Sequence, residues 1–265
     1  MNKVTAFTQT QHRPICRSTK IRLGMAELQP DGLSEQWFLK FSGDIHWSLI
    51  AEAMGQKHSV FEDVNGQEVY AAFCVTSLAF QPMTGLLAKD IVISSRIYQV
   101  NQHQIGSIHK VMLCEDVIAS LSMISTFVSH GKDRSNRSII RNKNMPQLLL
   151  DAAPQSLVQL AVNARITAKK PISEANSVIH IADIKPCRSL DFNVIGLLYF
   201  PSFSKFAERA ENHHHKIVEP LVKRDVVYLG NVDQDVSIGL YASGSDVYMK
   251  RDDGKLIAKV STQRR

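Results

Sequence analysis

Two stretches of the chain carry the same spacing of apolar positions. Trp47, Ile50, Ala51 and Met54 fall at i, i+3, i+4 and i+7, and so do Phe203, Phe206, Ala207 and Ala210. That spacing is one face of an α-helix, so it predicts buried helices over residues 44–54, capped by Asp44 and closed by Gly55, and 202–213, capped by Ser202. After each helix the period drops to two. Runs at 69–73, 91–98, 105–113 and 117–128 follow the first helix, and runs at 226–229, 236–241, 247–250 and 256–261 follow the second. They read as strands, with Asn65-Gly66 and Asp253-Gly254 as tight turns. Residues 177–184 alternate as a further strand ahead of the second helix, Pro30-Asp31-Gly32 marks a turn, and residues 37–41 form a short apolar run.

A buried helix followed by several antiparallel strands, occurring twice, predicts an α+β chain of two similar units. The expected organisation is a flexible N-terminal arm over 1–20, a first domain over 21–129, a linker and connecting segment over 130–165, and a second domain over 166–265. Within the connecting segment, 145–165 has the look of a short helix that ties the halves together. The arm is polar, rich in Thr and Gln, and without periodicity.

Composition narrows the function classes only a little. The chain has 265 residues, 44% hydrophobic and 21% charged, which is ordinary for a globular protein. No apolar run approaches the ~20 residues that span a bilayer, and the N-terminus has no signal-peptide core, so a cytoplasmic location and no membrane partner are expected. The four cysteines, Cys16, Cys74, Cys114 and Cys187, form no C-x-x-C pair and read as buried or incidental thiols. A formal net charge of +6 permits an acidic partner without choosing one. Nucleotide-binding glycine motifs and the G-x-S-x-G elbow are absent.

The order of residues over 191–211, D-F-N-V-I-G-L-L-Y-F-P-S-F-S-K-F-A-E-R-A-E, resembles the opening of hot-dog-fold thioester enzymes such as the 4-hydroxybenzoyl-CoA thioesterases. Together with the G-D-I-H-W pentad at 43–47, the Gly24-Met25 pair and the N-G-Q-E-V-Y-A-A-F run ending at Phe73, it makes the chain from Ile21 onward similar to the double-hot-dog acyltransferase/decarboxylase family of leinamycin biosynthesis and its polyketide-associated relatives. In that family a G-D-x-x-W helix start precedes an N-P-x-Y-x-A-F strand, and a D-x-N-x-x-G-L-x-Y-F segment opens the second half. The resemblance implies a double hot-dog, two antiparallel sheets each wrapped around a central helix. It implies an enzyme of polyketide-type natural-product or lipid biosynthesis acting on thioesters of coenzyme A or an acyl carrier protein. The reaction implied is acyl transfer with decarboxylation of a (methyl)malonyl thioester, without metal or organic cofactor. A dehydratase, a thioesterase or a non-catalytic carrier-binding module stays open, as does a homodimer.

The same resemblance singles out residues. The family's strand tyrosine falls on Tyr70, as nucleophile or as donor to the thioester carbonyl. A phenol with a pKa of about 10 is a poor nucleophile at neutral pH but a good donor, and no cation is near it in sequence, which favours the donor role. A strand tyrosine packed into the sheet fits the same pattern. Asp191 and Asn193 match the family's polar pair, and the catalytic Asp of the 4-hydroxybenzoyl-CoA thioesterases, aligned through Gly196, falls on Asn193. An amide is neither base nor nucleophile, so Asn193 is left to orient substrate and Asp191 to act as acid or base, unless the pair only caps the turn. His46, Ser34, Glu35 and Gly196 are the candidate substrate-binding residues. A hydrogen-bonded structural role also fits His46, and Ser34-Glu35 departs from the family's H-N-S segment. Three consecutive histidines, 213–215, cannot converge on one ion from a helix, so no metal site is expected. Residues 130–144 carry Lys132, Arg134, Arg137, Arg141 and Lys143 against Asp133. That excess suits an acidic carrier protein or a solvated linker, and the absence of interleaved aromatics argues against nucleic acid.

Overall fold

A computed structural model describes residues 14–170, 178–215 and 219–265. The first half contains β1 (Cys16–Arg22), a small hairpin of β2 (Leu28–Gln29) and β3 (Gly32–Leu33), and α1 (Glu35–Ala53). There follow β4 (Phe61–Glu62), β5 (Glu68–Phe80), β6 (Asp90–Asn101), β7 (Gln104–Leu113), β8 (Asp116–Ser129) and β9 (Ile140–Arg141). After α2 (Gln155–Lys169) the second half has β10 (Ile179–Ile184), α3 (Arg188–Asp191), α4 (Phe200–His215), β11 (Leu221–Tyr228), β12 (Ile238–Ser243), β13 (Asp246–Arg251) and β14 (Leu256–Arg264). One antiparallel sheet runs in the order β1-β6-β7-β8-β5-β11-β14-β13-β12-β10. Each half has the same internal order: the strand ahead of the helix lies at the outer edge, and the strand after the helix, β5 or β11, lies at the centre. β5 and β11 pair from Val75↔Val227 to Ala79↔Lys223 and join the halves. The fold is a double hot-dog, as the sequence resemblance implies.

Each central helix has its own core. α4 buries Phe203, Phe206, Ala207 and Ala210 against Val226, Leu240, Met249, Ile257 and Val260, the face read from the sequence. α1 is longer than its periodicity suggested. It starts at Glu35, capped by Ser34, whose hydroxyl accepts from the Trp37 N–H at 3.3 Å, so Asp44 is no cap but lies in mid-helix. Its buried stripe is Glu35, Phe38, Leu39, Ser42, Gly43, His46, Leu49 and Ile50, helical in spacing but polar or bare at its centre. Residues 37–41 therefore belong to the helix. Gly43 is a contact point rather than a breaker: a Cβ there would lie 2.8 Å from Phe200 Cε1, where α4 begins. Ser202 sits in the first turn of α4 instead of capping it, and its hydroxyl donates to the Asp191 carbonyl at 3.1 Å.

Other boundaries shift as well. Cys16–Arg22 pairs with β6, so residues 16–20 of the expected arm are strand, while residues 1–13 lie outside those described. The helix expected over 145–165 is α2, which crosses the drawn boundary at 165. It covers the outer face of the sheet over Val75 and Ile124 of one half and Val227 of the other, and so ties the halves together. Cys16, Cys114 and Cys187 are exposed, not buried, and only Cys74 is half-buried.

The helices are also locked by charge. Arg224 of β11 is 1% exposed and meets Glu35 of α1 at 2.7 Å and Glu208 and Glu211 of α4 at 2.6 and 3.0 Å. Arg264 of β14 shares Glu208 and Glu211. Burial alone would push the Arg224 pKa down, but the three carboxylates outweigh it and hold the guanidinium charged. Glu35 is raised by the same burial, offset in part by Arg224.

The helix crossing yields a test. Gly→Ala inside a helix ordinarily stabilises by roughly 0.5–1 kcal/mol. At Gly43 the new methyl meets a ring held by Trp47, Phe73 and Tyr199, so Gly43→Ala is expected to destabilise by about 1–3 kcal/mol, and Phe200→Leu in the same chain to recover part of the loss. Urea denaturation of the three proteins checks this; a more stable Gly43→Ala would disprove the close crossing.

Candidate active site

The β5–β11 ladder starts only at Val75, and that gap makes the site. Upstream, Glu68 and Val69 pair with β4, while residues 70–73 pair with β8 alone and Cys74 sits in a bulge. The second half meets this window with residues 192–200 and with Tyr228 to Asn231. Between them lies a cavity of about 740 Å³. Its walls include Trp47, Phe73, Phe200, Phe203 and Tyr228, and its polar groups include Asp44, Tyr70, Cys74, Asn193 and Arg141.

Local structure explains each placement. Along β5, Val69, Ala71 and Phe73 are buried towards α1 and Tyr70, Ala72 and Cys74 are half-buried on the other face, until a bulge at Phe73/Val75 changes the parity. The cavity thus reaches both faces of the sheet past an open strand edge. The Trp47 indole donates to the Ala71 carbonyl at 2.8 Å and props this edge. Residues 191–199 are held by an Asx turn: the Asn193 side-chain oxygen accepts from the Leu197 N–H at 2.9 Å, and Gly196, at φ 80°, supplies the left-handed position. With its oxygen occupied, Asn193 presents its NH₂ group.

The expected site residues separate into two sets. Tyr70 and Asn193 line the cavity; Asp191, Gly196, Ser34, Glu35 and His46 do not. Asp191 is buried, ion-paired with Lys205, and accepts from the Cys187 N–H at 2.7 Å, so it fastens α3 to α4. Glu35 is held by Arg224, Ser34 caps α1, and the Gly196 carbonyl accepts from Asn136 at 2.7 Å. His46 is fully buried between Ser107 at 2.7 Å and Ser125 at 2.8 Å, and Ser107 continues to His109 and Ser95. Neutral rings satisfy this chain of hydroxyls and imidazoles, each donating from one nitrogen and accepting at the other.

Asp44 is the residue that the sequence reading misplaced. Once α1 is extended through Gly43, Asp44 faces the cavity one turn before Trp47, the one carboxylate among the lining residues. Asp44 remains exposed, and partial desolvation by the surrounding wall raises its pKa, while its charge adds to burial in raising that of Tyr199. Tyr70 is likewise raised, by burial first and then by Glu68, against a smaller pull from Arg134, so its phenol stays protonated. The sequence showed no cation near Tyr70. The fold brings Arg134, and through the ladder Tyr70↔Val128↔Arg141 it sets Arg141 in the same cross-strand row.

The segment 130–141 is less a linker than a strap over the cavity. Asn136 is buried and donates to the Gly196 and Val232 carbonyls, Ser135 bonds Asp233, and Arg137 pairs with Asp233 at 3.3 Å and Asp252 at 2.9 Å. Among the described residues there is no cluster of potential metal ligands and no helix long and apolar enough to cross a membrane.

No known family profile matches the chain, and no curated protein sequence matches it. Solved structures do. The 12:0-ACP thioesterase from Umbellularia californica superposes with a TM-score of 0.67 over 96% of this chain and 98% of its own, at 9% identity. An acyl-ACP thioesterase from Bacteroides thetaiotaomicron gives 0.65 over 94% and 98%, at 7% identity. A protein described as an oleoyl thioesterase from Lactobacillus plantarum gives 0.62 over 95% of each chain, at 12% identity. At such identities the likeness establishes the fold over nearly the whole chain.

The buried histidines predict acid lability. His46 and His109 are both pushed down to about 3 from 6.5, chiefly by burial. A depressed histidine pKa means that the unfolded chain binds protons which the folded one refuses. Stability is therefore complete above pH 6.5 and falls as pH drops towards 3, by up to about 1.4 kcal/mol per pH unit for each histidine. In His46→Asn the slope over pH 4–6, measured by denaturation at each pH, is expected to fall by about half; an unchanged slope would show that His46 titrates normally.

Proposed function

We propose that this protein is an enzyme that cleaves acyl thioesters. The observation that carries the reading is the cavity between the halves, lined by an aromatic wall, two neutral donors and one carboxylate. The apolar end suits an acyl chain. Tyr70 and the NH₂ of Asn193 are donors for the thioester carbonyl, and both favour the oxyanion that forms there. Asp44, with a pKa raised by desolvation, suits a general base. Water attacks the carbonyl carbon and gives its proton to Asp44; as the intermediate collapses the C–S bond breaks, and the thiolate leaves and takes up a proton. The named thioesterases that share the fold support this reading.

The decarboxylating acyl transfer implied by the sequence resemblance needs the donors but not the base. Asp44→Asn is therefore expected to lower hydrolysis of an acyl-CoA by about 10²–10⁴-fold in kcat and to remove the acid limb of the pH profile. Tyr70→Phe should lower it by roughly 10–1000-fold with the fold intact. If Asp44→Asn still consumes malonyl- or methylmalonyl-CoA with release of CO₂ at the wild-type rate, acyl transfer with decarboxylation is the reaction. If the wild type turns over neither class, it is a binding module.

An acyl carrier protein is the proposed macromolecular substrate. Arg137 is neutralised by Asp233 and Asp252, so the cations of 130–144 left to meet an acidic carrier are Lys132, Arg134, Arg141 and Lys143, all exposed. Changing Lys132 and Lys143 to Glu should slow the second-order reaction with acyl carrier protein and flatten its salt dependence, leaving acyl-CoA turnover unchanged. Equal loss with both substrates would remove the docking role.

A further inference from the structure

Tyr70 and Asn193 stand on different halves, and one pair of side chains in the strap reaches towards both. His130 follows β8 directly and lies two positions after Val128, the cross-strand partner of Tyr70. Two steps along a strand return a side chain to the same face, so His130 is the diagonal neighbour of Tyr70. Their rings meet edge to face, with centroids 5.7 Å apart and planes at 75°.

The His130 ring is tied in turn to Asn136. The Asn136 side-chain nitrogen faces two backbone carbonyls, of Gly196 at 2.7 Å and of Val232 at 2.8 Å, and a carbonyl only accepts. Both amide hydrogens are spent there. The Asn136 oxygen is therefore the atom that meets His130 Nε2 at 3.0 Å, and since that oxygen has no hydrogen to give, Nε2 donates. The hydrogen on Nε2 and the orientation of the imidazole follow from this one contact.

Asn136 is itself firmly held. It is buried, its N–H donates to Asp233 at 2.7 Å, and its turn is closed by the Gly131 N–H, which donates to the Ser138 carbonyl at 3.1 Å. At its other end the path reaches the turn of Asn193, because the Gly196 carbonyl lies next to the Leu197 N–H on which the Asn193 oxygen rests. A continuous line of contacts, Tyr70 to His130 to Asn136 to the turn of Asn193, thus crosses between the halves. His130 does not line the cavity, and the Asn136 amide has no hydrogen left for a substrate.

We infer that His130 and Asn136 are positioning residues that set the spacing between the two oxyanion donors, Tyr70 and Asn193. The consequence for catalysis rests on the proposed thioester reading, whereas the tether itself does not. Donors fixed at the right spacing act on the transition state more than on the bound substrate, so loss of the tether falls on kcat.

The test is a double-mutant cycle in acyl-CoA hydrolysis. His130→Phe keeps a ring against Tyr70 and cuts the tether to Asn136. It is expected to lower kcat about tenfold with KM within about twofold of the wild type. Once Tyr70→Phe or Asn193→Ala has removed a donor, the same change should cost less than about twofold, because there is no spacing left to keep. Wild-type kcat in His130→Phe, a change confined to KM, or the full loss repeated on both donor-deficient backgrounds would each overturn the inference, the last as the mark of a merely structural strap. A second measurement needs no turnover: fluorine NMR of protein carrying a ring-fluorinated tyrosine at position 70. One sharp resonance is expected with Asn136 in place, and a shifted or broadened one in Asn136→Ala; an unchanged resonance would show that no tether reaches Tyr70. If the wild type hydrolyses no acyl-CoA while Asn136→Ala moves the resonance, the catalytic reading falls and the tether stands.

Discussion

A guanidinium that is 1% exposed cannot be left without anions, and much of this molecule follows from where Arg224 finds them. One carboxylate comes from α1 and two from α4, so the two helices must approach each other at one particular crossing. Removing Arg224 would leave the buried Glu35 carboxylate without a cation, at a cost of several kcal/mol. The crossing leaves room for nothing but hydrogen at Gly43, against which the Phe200 ring lies. Phe200 in turn begins α4 and forms part of the cavity wall. The ion cluster thus fixes the site without touching its chemistry.

The same cluster explains why two halves of one topology have different fates. Each half offers a helix start preceded by a turn-rich loop and faced by the central strand of the other half. At the start of α1, Glu35 is tied to Arg224 and the space is filled by paired charge. At the start of α4, the loop 192–200 faces a strand edge with no partner, and the cavity opens there. A smaller cavity of about 200 Å³ borders Glu211 and Arg264 of the cluster. The halves keep the fold in duplicate, but the start of α4 and the start of α1 are filled differently.

Most strands were legible because one face of each is covered and the other is not, which writes period two into the sequence. The start of α1 was not, because its buried stripe passes through Ser42, Gly43 and His46. These are unreadable as core until Ser107 and Ser125 are known to stand opposite His46, and Phe200 opposite Gly43. Asp44 was lost with them: after a glycine it looks like a cap, and only a helix already running makes it a cavity wall. Tyr70 and Asn193, singled out through residue order, lie on the cavity wall, whereas Asp191, drawn from the same motif, braces α3 against Lys205. Charge was misread for a similar reason. The positive excess of 130–144 counts Arg137 as free, but its aspartates lie about a hundred residues away in the chain.

The division of labour inside the cavity follows from these placements. Asn193 cannot be both turn and base, and its oxygen is spent on the Leu197 N–H, so only its donor is left for a ligand. Tyr70, raised in pKa, is a donor as well. Two neutral donors stabilise a developing oxyanion but accept no proton, so a reaction that must deprotonate water needs a third group, and Asp44 is the one carboxylate among the lining residues to supply it. Asp44 on α1 and Asn193 on the loop before α4 belong to different halves. Their distance is therefore set by the helix crossing, which makes Gly43, one residue from Asp44 and in contact with Phe200, the point at which packing and chemistry are coupled.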